Sequence, residues 1–134
     1  MLKEDYIMRL LQHFFESLSK WLSKEKEESP ELIARFNNEL VKPYLDKDMS
    51  FFETKTEAEL VEYFNATYPD ERERLSRLEI LAELFYRTAL LESDEIVQKK
   101  QYSNSLNLLL SIDLQSKDYS MERVSRIDKL TKMI

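Results

Sequence analysis

The sequence predicts an all-α fold of five to six helices, on three observations. The 134 residues include no glycine, apolar residues recur three and four apart over most of the chain, and no alternating β pattern of convincing length occurs. Glycine is the usual means of reaching positive φ, of capping helix C-termini and of cradling phosphates. Its absence favours long helices joined by polar links.

The first helix is expected from about Lys3 to Lys24, where Ile7, Leu10, Leu11, Phe14, Leu18, Trp21 and Leu22 share one face. It runs into Lys24-Glu25-Lys26-Glu27-Glu28, the solvated link of a hairpin. Ser29 stands where an N-cap belongs and Pro30 at the first helical position, opening a second helix that carries Leu32, Ile33, Phe36, Leu40 and Val41 inward. Pro43 ends or kinks this helix, and 46–50 is the loop that follows. Thr56 and Glu59 have capping-box spacing for a short helix from Glu57 to about Ala66 that presents Leu60, Val61 and Phe64. Tyr68-Pro69 stops it, and Asp70 with Glu73 repeats the signal. The next helix is the longest clear element: Leu75, Leu78, Leu81, Ala82, Phe85 and Ala89 form a stripe that Ile80, Leu84 and Leu91 widen, as contacts on two sides require. The pattern weakens around Ser93 and Asp94, where Ile96 and Val97 either continue the helix or bridge to the next, and it resumes from Tyr102 to Leu114. Ser120 caps a last helix with Val124, Ile127, Leu130 and Ile134 in phase. One domain spans 1–134, with an N-terminal hairpin at about 3–45, a connecting helix at about 57–66, and a hairpin plus capping helix at about 70–134.

The run from Gln101 to Leu114, followed by Gln115 to Ser120, resembles the second helix and exit turn of a tetratricopeptide repeat. Tyr102, Ser105, Leu109 and Ile112 fall at its aromatic, small, large and small packing positions. Leu78, Leu81, Ala82 and Phe85 match the packing positions of the repeat's first helix, with Ala82 where the family usually has glycine. About eleven residues more than a 34-residue repeat allows lie between Phe85 and Ser105, and Lys117 replaces the usual closing proline. Met8 to Leu22 with Pro30 to Val41 is a weaker copy. The resemblance implies tetratricopeptide-like hairpins forming a short irregular solenoid or a compact bundle. The opening Met1 to Arg9 is similar to the start of a family of small bacterial all-helical proteins with repeat-like helices and no assigned activity, which implies a bacterial source.

Composition excludes several chemistries. Net charge is −6, and Arg72, Arg74 and Arg77 are interleaved with Glu71, Glu73 and Glu79, so no nucleic-acid partner is expected. With no cysteine there are no disulfides, thiolate metal sites or cysteine nucleophiles. Charged Lys3, Glu4, Asp5 and Arg9 argue against a secretory signal, and no apolar stretch is long enough to span a bilayer, so a cytoplasmic protein without a membrane partner is expected. His13 is the only histidine and lacks the Glu-x-x-His company of helical di-metal sites. Asp46 and Asp48 lack the glycine and terminal glutamate of a calcium loop, and no serine elbow exists. The chain is therefore expected to be no enzyme, and to hold neither metal nor cofactor.

A binding surface remains. In a tetratricopeptide-like hairpin, the groove side of the first helix would carry Ser76, Glu79, Glu83, Tyr86 and Arg87, a polar face with the Tyr and Arg that dominate recognition surfaces. The same residues also suit an ordinary solvated face. The expected partner is a protein or peptide, with a homodimer through Phe15, Trp21, Phe51 and Phe52 as a further expectation. The alternative is a regulatory domain with a small-ligand pocket between helices, lined by Tyr63, Tyr68 and methionines.

Overall fold

The computed structural model describes residues 3–24 and 30–134, all of them in helices or short links. Ser29 and the charged link at 25–28 lie outside the described residues. The helices are α1 (Lys3–Lys24), α2 (Pro30–Phe36), a π-helical stretch (Asn37–Val41), α3 (Lys42–Leu45), α4 (Met49–Glu53), α5 (Glu57–Thr67), α6 (Glu71–Leu91), α7 (Glu95–Gln115) and α8 (Met121–Met133). Because α2, the π-helical stretch and α3 follow one another without a break, the described residues form seven continuous helical segments. That corrects the expected five to six. The extra segment is α4, whose first two residues fall in the expected loop at 46–50 and at whose start the Asn37 side-chain oxygen accepts the Met49 amide at 2.9 Å. The chain divides into two compact units, 1–77 and 78–134, with the boundary inside α6.

In residues 1–77 the α1 stripe Ile7, Phe14, Leu18 and Trp21 is buried, as are Leu40, Val41, Tyr44 and Leu45. Phe14 meets Tyr44 edge-on with centroids 5.2 Å apart, and Trp21 meets Phe36 at 5.4 Å. The Tyr44 hydroxyl donates to the His13 carbonyl at 3.2 Å and lies 2.7 Å from Ser17 Oγ, tying α3 to α1. Pro43 neither ends nor sharply breaks the helix. It has no amide to donate and its ring crowds the carbonyl four residues back, and the widened π-helical stretch lies immediately upstream of it. α3 then closes at Asp46, whose φ of 62° is the only positive value among the described residues. Aspartate takes the left-handed cap that glycine would normally supply, and its amide donates to Lys42 O at 2.9 Å.

The capping box at α5 forms as expected, with Thr56 Oγ1 accepting the Glu59 amide and the Glu59 carboxylate accepting the Thr56 amide. Phe51, Phe52, Tyr63, Phe64 and Tyr68 form a chain of rings with neighbouring centroids 4.9–5.9 Å apart. Burial pushes the Tyr68 phenol up to about 12, with Arg77 opposing the shift. Three residues expected inward, Leu22, Ile33 and Val61, are exposed. Of the residues expected to mediate self-association, Trp21 and Phe52 are buried, Phe51 is half-buried and Phe15 is exposed.

In residues 78–134, α6 and α7 pack antiparallel. Ser105 Oγ donates to Ala82 O at 2.6 Å, Tyr102 faces Tyr86 with centroids 6.0 Å apart, and Gln98 Nε2 donates to Ala89 O at 2.8 Å. As the residue number rises along α6 it falls along α7, which fixes the register. Ala82 and Ser105 are both fully buried, so the close approach falls where both side chains are small. The uncertain stretch near Ser93 resolves as a break: Asp94 is the N-cap of α7 and accepts the Ile96 and Val97 amides. Ser120 caps α8 by accepting the Arg123 amide at 3.1 Å.

Candidate functional site

α8 buries little apolar surface. Leu130 is its one buried apolar side chain, and the other buried residue is Arg123, while Met121, Val124 and Ile134 are exposed. α8 packs along α7 through Leu130 and half-buried Ile127, and its contacts to α6 are polar and cation–π.

Arg123 donates from Nη1 to Glu79 of α6 at 3.3 Å, from Nε to Asp113 of α7 at 3.0 Å, and from Nη2 to the Asp118 carbonyl at 2.7 Å. Its five planar N–H donors suit such a fork. Three residues on, Arg126 donates to Glu83 at 3.4 Å and its guanidinium carbon lies 3.8 Å from the centre of the Tyr86 ring. Another three residues on, Lys129 Nζ is 5.6 Å from that ring. Arg87 completes the cluster, pairing with Glu83 at 2.8 Å and lying 5.3 Å from Tyr86. Cations at i, i+3 and i+6 stand on one side of a helix, and here that side meets Glu79, Glu83 and Tyr86 in ascending order. α8 consequently runs parallel to α6.

Burial raises the Glu79 carboxyl above its usual range, and Arg123 only partly offsets this because Glu122 and Glu83 add like charge. Around the buried Tyr86 ring, half-buried Arg87 and Arg126 and exposed Lys129 meet the negative π face. The arrangement pairs each charge with a neighbour in the cluster. The side of α6 in this contact is acidic and aromatic, and the side of α8 is basic.

The residues predicted from sequence are thus found in contact with other side chains. Glu79, Glu83, Tyr86 and Arg87 come together, but none is exposed, and Tyr86 is only 3% accessible. Ser76, on the same helix, is buried as well. At Glu79, Glu83 and Tyr86 the expectation of an open groove face is corrected, because Arg123, Arg126 and Lys129 of α8 meet them. The residues that sequence reasoning missed are Asp113, Arg123, Arg126 and Lys129. The signal for the three cations was present in the Arg-x-x-Arg-x-x-Lys spacing beside Val124, Ile127 and Leu130, and Asp113 had none. Tyr63 and Tyr68, candidates for lining a ligand pocket, belong to the ring chain of the first unit, where Tyr63 is half-buried and Tyr68 buried. His13 is exposed, and among the described residues no group of three His, Cys, Asp or Glu stands close enough to hold a metal. No described helix is long and apolar enough to cross a membrane.

The chain matches no family model, and neither a curated protein nor a solved structure is significantly similar to it.

Proposed function

We propose that the chain is a noncatalytic protein–protein interaction module built on tetratricopeptide-like hairpins, whose α6 face takes a helix with a basic side. The reading retains the bacterial and cytoplasmic setting that the resemblance and composition imply. The observation that carries it is the seating of α8, in which Arg123, Arg126 and Lys129 meet Glu79, Glu83 and Tyr86 in register. A face that orders one helix by charge and cation–π contact has the chemistry to order another. The antiparallel α6–α7 pairing, with small residues at its closest approach, is the arrangement a repeat-like hairpin needs.

Selection from a displayed library of helical peptides tests this. It would be run on the wild type, on Glu83→Gln, and on Arg126→Ala, in which the hold on α8 is weakened, with helicity of each variant checked by circular dichroism. Peptides with Arg or Lys at i, i+3 and i+6 should enrich on the wild type and on Arg126→Ala, and fade on Glu83→Gln. Failure of that spacing to enrich on either of the first two would end the proposal.

A further inference from the structure

We infer that α8 is a releasable strap, a ligand-like segment of the chain that occupies the helix-binding face and must lift for a partner helix to enter. The inference rests on the function proposed above and deepens it, because it states what controls the face and which side-chain pattern the partner carries.

Three observations point this way. First, α8 packs along α7 but buries few side chains of its own: one leucine and one arginine, whereas α7 buries Tyr102, Leu108, Leu109 and Ile112 together with Gln101 and Ser105. Second, the α8 seam is ionic, and ion pairs in partly buried positions give up hydration to form, so their net contribution to holding two elements together is small. When α8 lifts, Arg123, Arg126, Glu79, Glu83 and Asp113 all regain water. None is left charged and unpaired in a dry interior. The same pairs still dictate register, because a shifted helix would set cations against cations. An ionic seam of this kind is selective without being strong. Third, α8 follows α7 through only the short link at 116–120 and remains tethered when released, so it competes with an incoming helix at high effective concentration. The partner it mimics is a helix with cations at i, i+3 and i+6 and an aliphatic residue at i+7, the pattern of Arg123, Arg126, Lys129 and Leu130.

The test uses the full chain and a synthetic peptide with the sequence of residues 120–134. Hydrogen exchange followed by mass spectrometry reads the opening of α8, and fluorescence anisotropy of the labelled peptide reads access to the face. Arg126→Ala loosens the strap while leaving Glu79, Glu83 and Tyr86 unchanged. The amides of α8 should exchange at least tenfold faster than those of α6 and α7 in the wild type and faster still in Arg126→Ala. The peptide should bind that variant at least fivefold more tightly than the wild type, and 0.5 M salt should weaken binding. Exchange of α8 at the same rate as α6 and α7 would overturn the strap while leaving the helix-binding reading to the library selection. Fast opening of α8 with no peptide binding to either protein would overturn both.

Discussion

In residues 1–77 distant elements meet through rings, from Phe14 on Tyr44 and Trp21 on Phe36 to the chain from Phe51 to Tyr68, with hydrogen bonds from Arg77 to the Tyr44 carbonyl and the Tyr6 hydroxyl beside them. In residues 78–134 α6 and α7 meet at the Tyr86–Tyr102 pair and at hydrogen bonds from Ser105 and Gln98, and α8, packed along α7, is joined to α6 through Arg123, Arg126 and Lys129. The two means of joining helices have different consequences. Ring contacts gain from removing apolar area from water and from edge-to-face geometry, so they add stability with little dependence on salt or pH. Ionic contacts lose hydration as they form, so they set register more than they stabilise, and they respond to both conditions. The first kind suits a scaffold, and the second suits an element that exchanges.

The largest test of this contrast removes a ring. Phe64 is fully buried and stacks within 5.5–5.9 Å of Phe52, Tyr63 and Tyr68. Phe64→Ala should cost about 3–5 kcal/mol through lost transfer energy and the cavity left behind. Urea denaturation checks this conveniently, because Trp21 is the only tryptophan and its fluorescence reports on residues 1–77. A loss below about 1 kcal/mol would mean that the ring chain is loosely packed and that the contrast is mistaken.

An intermediate effect is expected at Arg123. Arg123→Ala leaves Glu79 and Asp113 facing a site without its cation, and the lower end of the range for a broken buried pair, about 3 kcal/mol, applies because Asp113 is partly open to water. Replacing both partners should behave differently: Arg123→Met with Glu79→Met is expected within about 1 kcal/mol of the wild type, since an apolar pair avoids the dehydration cost. Calorimetric unfolding of the single and double variants makes the comparison. If the double variant were as unstable as Arg123→Ala, the ionic seam would be a true source of stability, and the difference between the two units would shrink.

The sequence made much of this legible, and what it hid has a physical reason. The α1 stripe, the Thr56–Glu59 box and the Ser120 cap depend on neighbours in sequence, and local periodicity and capping chemistry report them directly. α4 was hidden because its N-terminal support comes from Asn37, twelve residues away. Pro43 indicated a disturbance in its helix, but not that the disturbance would be absorbed by a π-helical stretch that lets the helix continue. The polar face of α6 was recognised as Glu79, Glu83, Tyr86 and Arg87. Periodicity marks a side chain as polar without saying whether water or another helix meets it, so the cover supplied by α8 could be found only in three dimensions. The same limit explains Val124 and Ile134, which keep the helical phase of an inward stripe yet are exposed.

The smallest effect is the one that separates the two kinds of contact by sign. Glu59, in the exposed capping box of α5, is held below its usual range of about 4.5, chiefly by the Thr56 amide and then by the Thr56 hydroxyl. Its carboxylate is favoured by folding, so its contribution is present above 4.5 and lost as pH falls through the lower folded value. Glu79 behaves in the opposite way. Burial raises its folded value above 4.5, so on acidification the folded chain takes up a proton before the unfolded chain does. The Glu79 contribution to stability therefore rises as pH drops from neutral through the raised value towards 4.5, and it is constant below that. Glu59→Gln should remove a loss of stability on the acid side of 4.5, and Glu79→Gln should remove a gain above it. Urea midpoints measured every half unit from pH 3 to pH 7 would resolve the two slopes. If Glu79→Gln instead removed a loss, Arg123 would outweigh dehydration at that carboxylate, and the seam under α8 would be a strong lock and not an exchangeable one.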